Sequence, residues 1–182
     1  MNQELYFLRS TEQYLAKELL YYAAHLERSD KSLVDFPELK QYEEHFGSCD
    51  GDIGVYILSD AKGAGAVWVR LLPKGKAYIN DDTPELTLSI KPDFKRKGIS
   101  LTLLQQLFIE TSKLYSQISV SVRDIPSVIK FYEKLGFIKC KNTEHKNALG
   151  IASFIMLKKL ENPNEEKEIK HLEEECFRRS YS

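Results

Sequence analysis

A turn crowded with cations opens directly into a helix at Lys91-Pro92-Asp93-Phe94-Lys95-Arg96-Lys97-Gly98-Ile99-Ser100. The first backbone N–H groups of a helix lack partners inside it and carry partial positive charge from the aligned peptide dipoles. Together they make an anion site, into which a pyrophosphate fits. Gly98 has no Cβ, so the backbone there can come close to a phosphate. Lys95, Arg96 and Lys97 surround that position with charge. Taken alone, the run equally describes a solvated charged turn, and its flanks decide between the two.

Hydropathy gives the elements that would hold this turn. ELYFLR (4–9) reads as a short strand, and Ser10 with Gln13 as the capped start of a helix carrying Tyr14, Leu15, Leu19, Tyr22 and Leu26. A second helix is expected after Pro37, with Leu39, Tyr42 and Phe46, followed by a loop over 47–52. Residues 53–58 and 66–72 read as strands joined by a glycine-rich turn, DAKGAG. Residues 78–90 read as a long interrupted strand, with Leu86, Leu88 and Ile90 alternating to one face. After Pro92 the period becomes helical, with Leu104, Leu107, Phe108 and Thr111 on one face. Ile118, Val120 and Val122 form the next strand, and a helix from about Pro126 to Leu135 ends on Gly136. Residues 137–140 and 151–159 close the pattern as two more strands. The alternation of strand and helix patterns makes the expected fold class α/β.

Composition bounds the rest. The chain has 182 residues, 42% hydrophobic and 29% charged, with a net charge of -1. That describes a globular domain with no global field to attract nucleic acid or a membrane surface. Cys49, Cys140 and Cys176 are far apart, and the histidines at 25, 45, 145 and 171 show no ligand spacing, so neither a disulfide framework nor a metal site is expected. The N-terminus lacks the pattern of a signal peptide, and no apolar run approaches the roughly 20 residues that span a bilayer. A cytoplasmic setting follows as the default. Residues 161–182 are glutamate-rich, with a thin stripe of Ile169, Leu172, Cys176 and Phe177. We expect residues 1–160 to form the domain and 161–182 a C-terminal helical tail, in a monomer or a homodimer.

LSIKPDFKRKGISLTLL resembles the coenzyme A-binding motif of the GNAT superfamily: strand, Pro, then (Gln/Arg)-x-x-Gly-x-(Gly/Ala), then helix. Lys95 stands at its first position, Gly98 at its fourth and Ser100 at its sixth. Downstream, VRDIPSVIKFYEKLGF resembles the later motif N-x-x-A-x-x-x-Y-x-x-x-G-F. Tyr132, Gly136 and Phe137 match it, while Ile125 and Val128 occupy the usual Asn and Ala positions. NDDTPELTLSIKP resembles a group of these proteins with a D-D-T-P-E-L run entering the fourth strand.

The resemblance covers roughly residues 4–159 and implies a GNAT fold, with a central, mostly antiparallel mixed sheet flanked by helices. It implies that acetyl-CoA is the acetyl donor, with no metal, and that the activity is acetyl transfer to an amine by direct attack in a ternary complex. A non-catalytic domain that holds acetyl-CoA as a sensor is the alternative. The donor would lie between splayed fourth and fifth strands, at about 85–91 and 117–122. Its contacts would be Leu88, Ser89 and Ile90, then Lys95, Arg96, Lys97, Gly98, Ile99 and Ser100, with Tyr132 at the thiol. Tyr132 matches the tyrosine that serves as general acid in many such enzymes; the other reading of it is core packing. Glu85, or Asp82 or Asp81 before it, are candidate bases; each is also readable as a strand-end or turn residue. His25, His45 and His145 lie on segments that border the acceptor region. The acceptor would be a small-molecule or peptide amine, and Glu38, Glu43 and Glu44 in the 27–47 region tilt the expectation toward a cationic one.

Overall fold

The computed structural model describes residues 2–162 and Lys170. Eight strands form one sheet: β1 (Gln3–Phe7), β2 (Ile53–Ser59), β3 (Lys62–Arg70), β4 (Glu85–Ile90), β5 (Gln117–Arg123), β6 (Ile138–Lys139), β7 (His145–Lys146) and β8 (Ala152–Lys159). Their order is β1-β2-β3-β4-β5-β8-β6, with β7 also paired to β8. Every pairing is antiparallel except β4 with β5. The helices are α1 (Gln13–Ala23), α2 (Ile99–Ser112) and α3 (Pro126–Lys134). The mixed, mostly antiparallel sheet that the resemblance implies is therefore the observed one.

Strand alternation distributes the core between two faces. Val67 and Val69 of β3 pack with Val55, Leu86, Val120 and Val122 against Leu103, Leu104 and Leu107 of α2. The intervening Ala66 and Trp68 face the other way, onto Leu15, Ala16, Leu19 and Leu20 of α1. Trp68 is fully buried, and its indole N–H donates to the Tyr42 carbonyl at 2.8 Å. That bond ties a 3₁₀ helix, Pro37–Tyr42, to the α1 face.

The differences from the sequence reading are local. The hairpin between β2 and β3 turns on Asp60 and Ala61 alone, both at positive φ (49° and 63°), so Gly63 and Gly65 lie inside β3. Two left-handed residues match the twist of the flanking strands, which a longer glycine turn does not require. α1 is preceded by a 3₁₀ turn, Ser10–Glu12, in which the Glu12 carboxylate accepts the Arg9 N–H at 3.0 Å. Gln13 is not the capping partner; it reaches Glu43 instead, at 3.2 Å. The expected strand over 78–90 begins only at Glu85, because Asn80 folds the preceding residues into a turn, accepting from Asp82 N–H and Thr83 Oγ1. The expected tail and its apolar stripe lie outside the described residues, apart from Glu161, Asn162 and Lys170.

One buried ion pair holds the loop before β2. Arg70 meets Asp52 through Nε and Nη2 at 3.1 and 3.0 Å, and its Nη1 donates to the carbonyls of Gln41 and Glu44. Both side chains are nearly excluded from solvent. Breaking such a pair strands the partner's charge, at a cost of about 3–5 kcal/mol. Asp52→Ala is expected to lower unfolding stability by that amount in urea titration, and a loss below about 1 kcal/mol would show that water replaces the pair.

Candidate active site

The site begins with a failure of pairing. β4 and β5 share one partner pair, Glu85 with Ser119, where the Ser119 N–H donates to the Pro84 carbonyl at 3.0 Å. Beyond it the strands diverge. Lys91 N–H donates to Ala64 across β3 at 2.9 Å. Since N–H groups alternate sides along a strand, those of Leu88 and Ile90 point into the gap. Asp124 N–H turns to Ala152 of β8, so by the same alternation Ser121 N–H faces the gap from the opposite bank. A cavity of about 590 Å³ follows this gap and touches both faces of the sheet.

At one end stands the basic turn. The backbone N–H groups from Arg96 through Leu101 have no acceptor among the described residues; Thr102 N–H makes the first helical bond, to Gly98. Arg96 and Gly98 have φ of 61° and 76°, which turns successive donors toward a common side. A Cβ built on Gly98 would meet nothing within 4 Å, so open space lies over the helix start. Free donors, left-handed backbone and that space fit a pyrophosphate. Lys95, Arg96 and Ser100 line the cavity. Lys97 and Ile99 are not among its lining residues: the Lys97 ammonium lies 5.3 Å over the Phe94 ring, and Ile99 is buried in the α2 core.

Further along the gap, on the α1 face, Glu85 is 3% exposed. Its Oε1 accepts the Tyr42 hydroxyl at 2.8 Å and its Oε2 the Ala77 N–H at 3.1 Å. Gly75 makes room for it, since a Cβ there would stand 2.0 Å from Oε2. Burial raises the carboxyl from its ordinary 4.5 to about 7, against the two hydrogen bonds, which favour the charged form. Burial, followed by the charge on Glu85, pushes the Tyr42 phenol well up. Tyr42 therefore stays a donor to Glu85 while its oxygen accepts from Lys76 N–H at 2.9 Å.

Across the gap, α3 carries Tyr132. Its ring is T-stacked on Phe131 and Phe137, and its hydroxyl bonds to no described residue. Tyr132 lines the same cavity as Leu88, Ile90 and Glu85. Burial pushes the phenol up to about 12, with the charge of Arg123 acting in the opposite direction.

The remaining candidates separate. Leu88, Ser89 and Ile90 all line the cavity, and the Ser89 hydroxyl is committed to the Leu19 carbonyl at 2.7 Å. Asp82 and Asp81 are exposed on the Asn80 turn and do not line it; Asp81 accepts the Tyr78 hydroxyl at 2.9 Å. His45 is exposed beside Glu44. His145 accepts the Ser121 hydroxyl through Nε2 at 2.8 Å, because its Nδ1 must donate to the Thr143 carbonyl at 2.9 Å. His25 lines the cavity, and so do Tyr42 and Arg123, which the sequence reading did not single out for the site. Tyr42 carried only the signal of a core aromatic, and Arg123 that of a charged strand end. Among the described residues no group of three or more His, Cys, Asp or Glu side chains could hold a metal ion. No described helix is long and apolar enough to cross a membrane.

Residues 74–160, which hold the basic turn, Glu85 and Tyr132, match the family model described as the acetyltransferase (GNAT) domain. No curated relative matches the sequence. Solved structures extend the likeness of fold over most of the chain. An acetyltransferase of the GNAT family from Streptococcus pneumoniae superposes with a TM-score of 0.64 at 15% identity, covering 88% of this chain and 100% of that one. A phosphinothricin acetyltransferase from Sinorhizobium meliloti, in complex with acetyl-CoA, gives 0.63 at 17% identity, covering 88% and 89%. The PaiA N-acetyltransferase from Thermoplasma acidophilum, in complex with coenzyme A, gives 0.59 at 18% identity, covering 87% and 99%.

Gly98 is the sharpest test of the phosphate end of the candidate site. Asn and Asp both tolerate left-handed backbone, so neither should unfold the chain. Gly98→Asp is expected to abolish acetyl-CoA binding in calorimetry, while Gly98→Asn, equal in size but uncharged, weakens it less. Equal affinities for wild type and Gly98→Asp would move the phosphate site elsewhere.

Proposed function

We propose that the protein transfers the acetyl group of acetyl-CoA to a primary amine, by direct attack in a ternary complex. The observation that carries this reading is a single cavity, lined by Glu85 from one face of the sheet and Tyr132 from the other, along a gap edged by unpaired strand N–H groups. The N–H groups of Arg96 to Leu101 with Lys95 and Arg96 would hold the pyrophosphate, and the β4 edge the pantetheine arm. Leu88 or Ile90 N–H would donate to the thioester oxygen, where negative charge grows during attack. Binding both reactants in one cavity supplies the proximity that the reaction needs. The setting proposed from cysteine usage is the cytoplasm.

The proton inventory suits Glu85 and Tyr132. An alkyl ammonium with a pKa near 10 is only ~0.1% neutral at pH 7, so a base assists. Glu85, at about 7, is partly ionised at neutral pH and can accept the amine proton, directly or through water. The amine nitrogen bonds to the carbonyl carbon, the carbon–sulfur bond breaks, and the thiolate leaves. Tyr132, protonated throughout the neutral range, can donate its hydroxyl hydrogen to that sulfur.

Release of CoA in an amine panel tests the proposal. A domain that held the donor without turnover would release none above the rate of acetyl-CoA hydrolysis. Glu85→Gln is expected to lower kcat by 10²- to 10⁴-fold and to remove the rise of kcat/KM with pH through about 7. Stability gives an independent reading. The folded-state pKa of Glu85 is raised, so its favourable contribution is complete below about 4.5 and lost as pH rises through about 7. Glu85→Gln should therefore gain in melting temperature relative to wild type across that window; a constant difference would mean that Glu85 titrates normally. Tyr132→Phe is expected to lower kcat by roughly 10²-fold with little change in acetyl-CoA affinity. Wild-type turnover in that variant would reduce Tyr132 to packing.

A further inference from the structure

The half of the cavity on the α1 face is polar, and its charge is lopsided. Alternation puts Glu85, Thr87 and Ser89 of β4 on that face, opposite Ser119, Ser121 and Arg123 of β5. Hydrogen bonds fix this orientation: Ser89 to the Leu19 carbonyl, Ser119 to the Ala77 carbonyl at 2.6 Å, Glu85 to Tyr42. The intervening Val120 and Val122 are buried in the opposite core. Glu85 is the only carboxylate lining the cavity among the described residues, against Arg28, Lys76, Lys95, Arg96 and Arg123. The acidic residues that tilted the sequence reading toward a cationic acceptor are elsewhere. Glu38 is exposed outside the lining, Glu43 accepts from Gln13, and Glu44 pairs with Lys40 at 3.0 Å.

Three of those cations, Arg28, Lys95 and Arg123, converge on His25. His25, in left-handed conformation after α1, has its Nδ1 buried with no partner. Burial, then the charges of Arg123, Arg28 and Lys95, lower its pKa to about 4, so the ring is neutral. Glu27 is the local counter-charge, and it is shared: its Oε1 lies 3.7 Å from both Arg28 Nε and Lys95 Nζ. The Arg123 side chain makes no ion pair or hydrogen bond with a described residue; burial, then the charge of Arg28, disfavours its charged form, while Tyr132 and Glu27 act the other way. Two arginines at the wall of one cavity, with the nearby Glu27 carboxylate shared between Arg28 and Lys95, make a setting that an anion would stabilise.

We propose that Arg28 and Arg123 form an anion-recognition site for the acceptor, so that the amine substrate carries a carboxylate or phosphate group. The proposal rests on the transferase reading of the same cavity and names its substrate class. Arg123 stands four residues along β5 from Ser119, the partner of Glu85, or about 13 Å by strand rise. The acceptor's anion and amine are therefore separated by several bonds, with the amine toward Glu85. The cationic field also favours the neutral, nucleophilic form of the amine. The donor's own phosphates are the competing source of such an anion, and the test separates the two.

With CoA saturating, so that its phosphate site is filled, O-phosphoethanolamine and 4-aminobutyrate are expected to raise the melting temperature, while ethanolamine and butylamine do not. Arg123→Gln and Arg28→Gln should each weaken binding of the two anionic amines by on the order of tenfold, with CoA affinity in calorimetry unchanged. Arg123→Lys, which keeps the charge, should restore part of the affinity. Equal shifts from the uncharged amines would overturn the proposal. So would loss of the anionic shift under saturating CoA, or a fall in CoA affinity in the Arg variants, since either gives the arginines to the donor. Absence of CoA release with all four amines, with the anionic shift intact, would leave this site standing and remove the transfer reading instead.

Discussion

The organisation of this protein depends on the single pairing between β4 and β5. Buried N–H and C=O groups in a sheet interior are nearly always paired, because an orphan costs about 1–3 kcal/mol. Here the sheet is continuous on both sides of the gap, from β1 to β4 and from β5 to β6, yet donors along the gap's two banks face open space. The flanking antiparallel ladders over-determine each half, so the gap does not close. Two helices grow out of its banks, α2 from the end of β4 and α3 from the end of β5. The helix start with its free N–H groups and the helix bearing Tyr132 are thus placed by the same divergence.

Glu85 shows how the fold sustains a carboxyl that burial disfavours. It sits at the last paired residue before the divergence, where the backbone is still rigid. A tyrosine from the Pro37–Tyr42 helix, an N–H from the turn before β4, and a glycine that leaves room for one oxygen all converge on it. Two donors keep the ionised form accessible, and burial keeps the neutral form competitive. The Trp68 bond to the Tyr42 carbonyl and the Arg70 clamp on Gln41 and Glu44 hold the same segment that delivers the Tyr42 hydroxyl.

The two faces of the sheet divide the labour. Over β2 to β4 the α1 face is closed by an apolar cluster. Over β4, β5 and β8 it is floored by Thr87, Ser121, Ser153 and Arg123. On the opposite face the aliphatic core runs up to Tyr132 without interruption. A reactant entering from the α1 face meets hydroxyls and cations, and one entering from the α2 face meets free backbone donors and then apolar walls. That asymmetry suits two reactants of different chemistry meeting at the gap.

The sequence by itself determined what local forces control. Pro92 and Gly98 punctuate 91–100, Gly98 takes the left-handed position before α2, and Leu86, Leu88 and Ile90 alternate to one face as read. FYEKLGF placed Tyr132 on a helix ending at Gly136, with φ of 88°. Each of these is fixed by neighbours within a few residues, through steric limits on φ or side-chain period. What only the tertiary structure decided are the partners across the chain. Tyr42 meets Glu85 over 43 residues, Arg123 comes to face His25 and Arg28, and Asp82 turns away on the Asn80 turn. The shift of Glu85 toward neutrality belongs to the same class, because desolvation depends on everything packed around a group and on nothing adjacent to it in sequence.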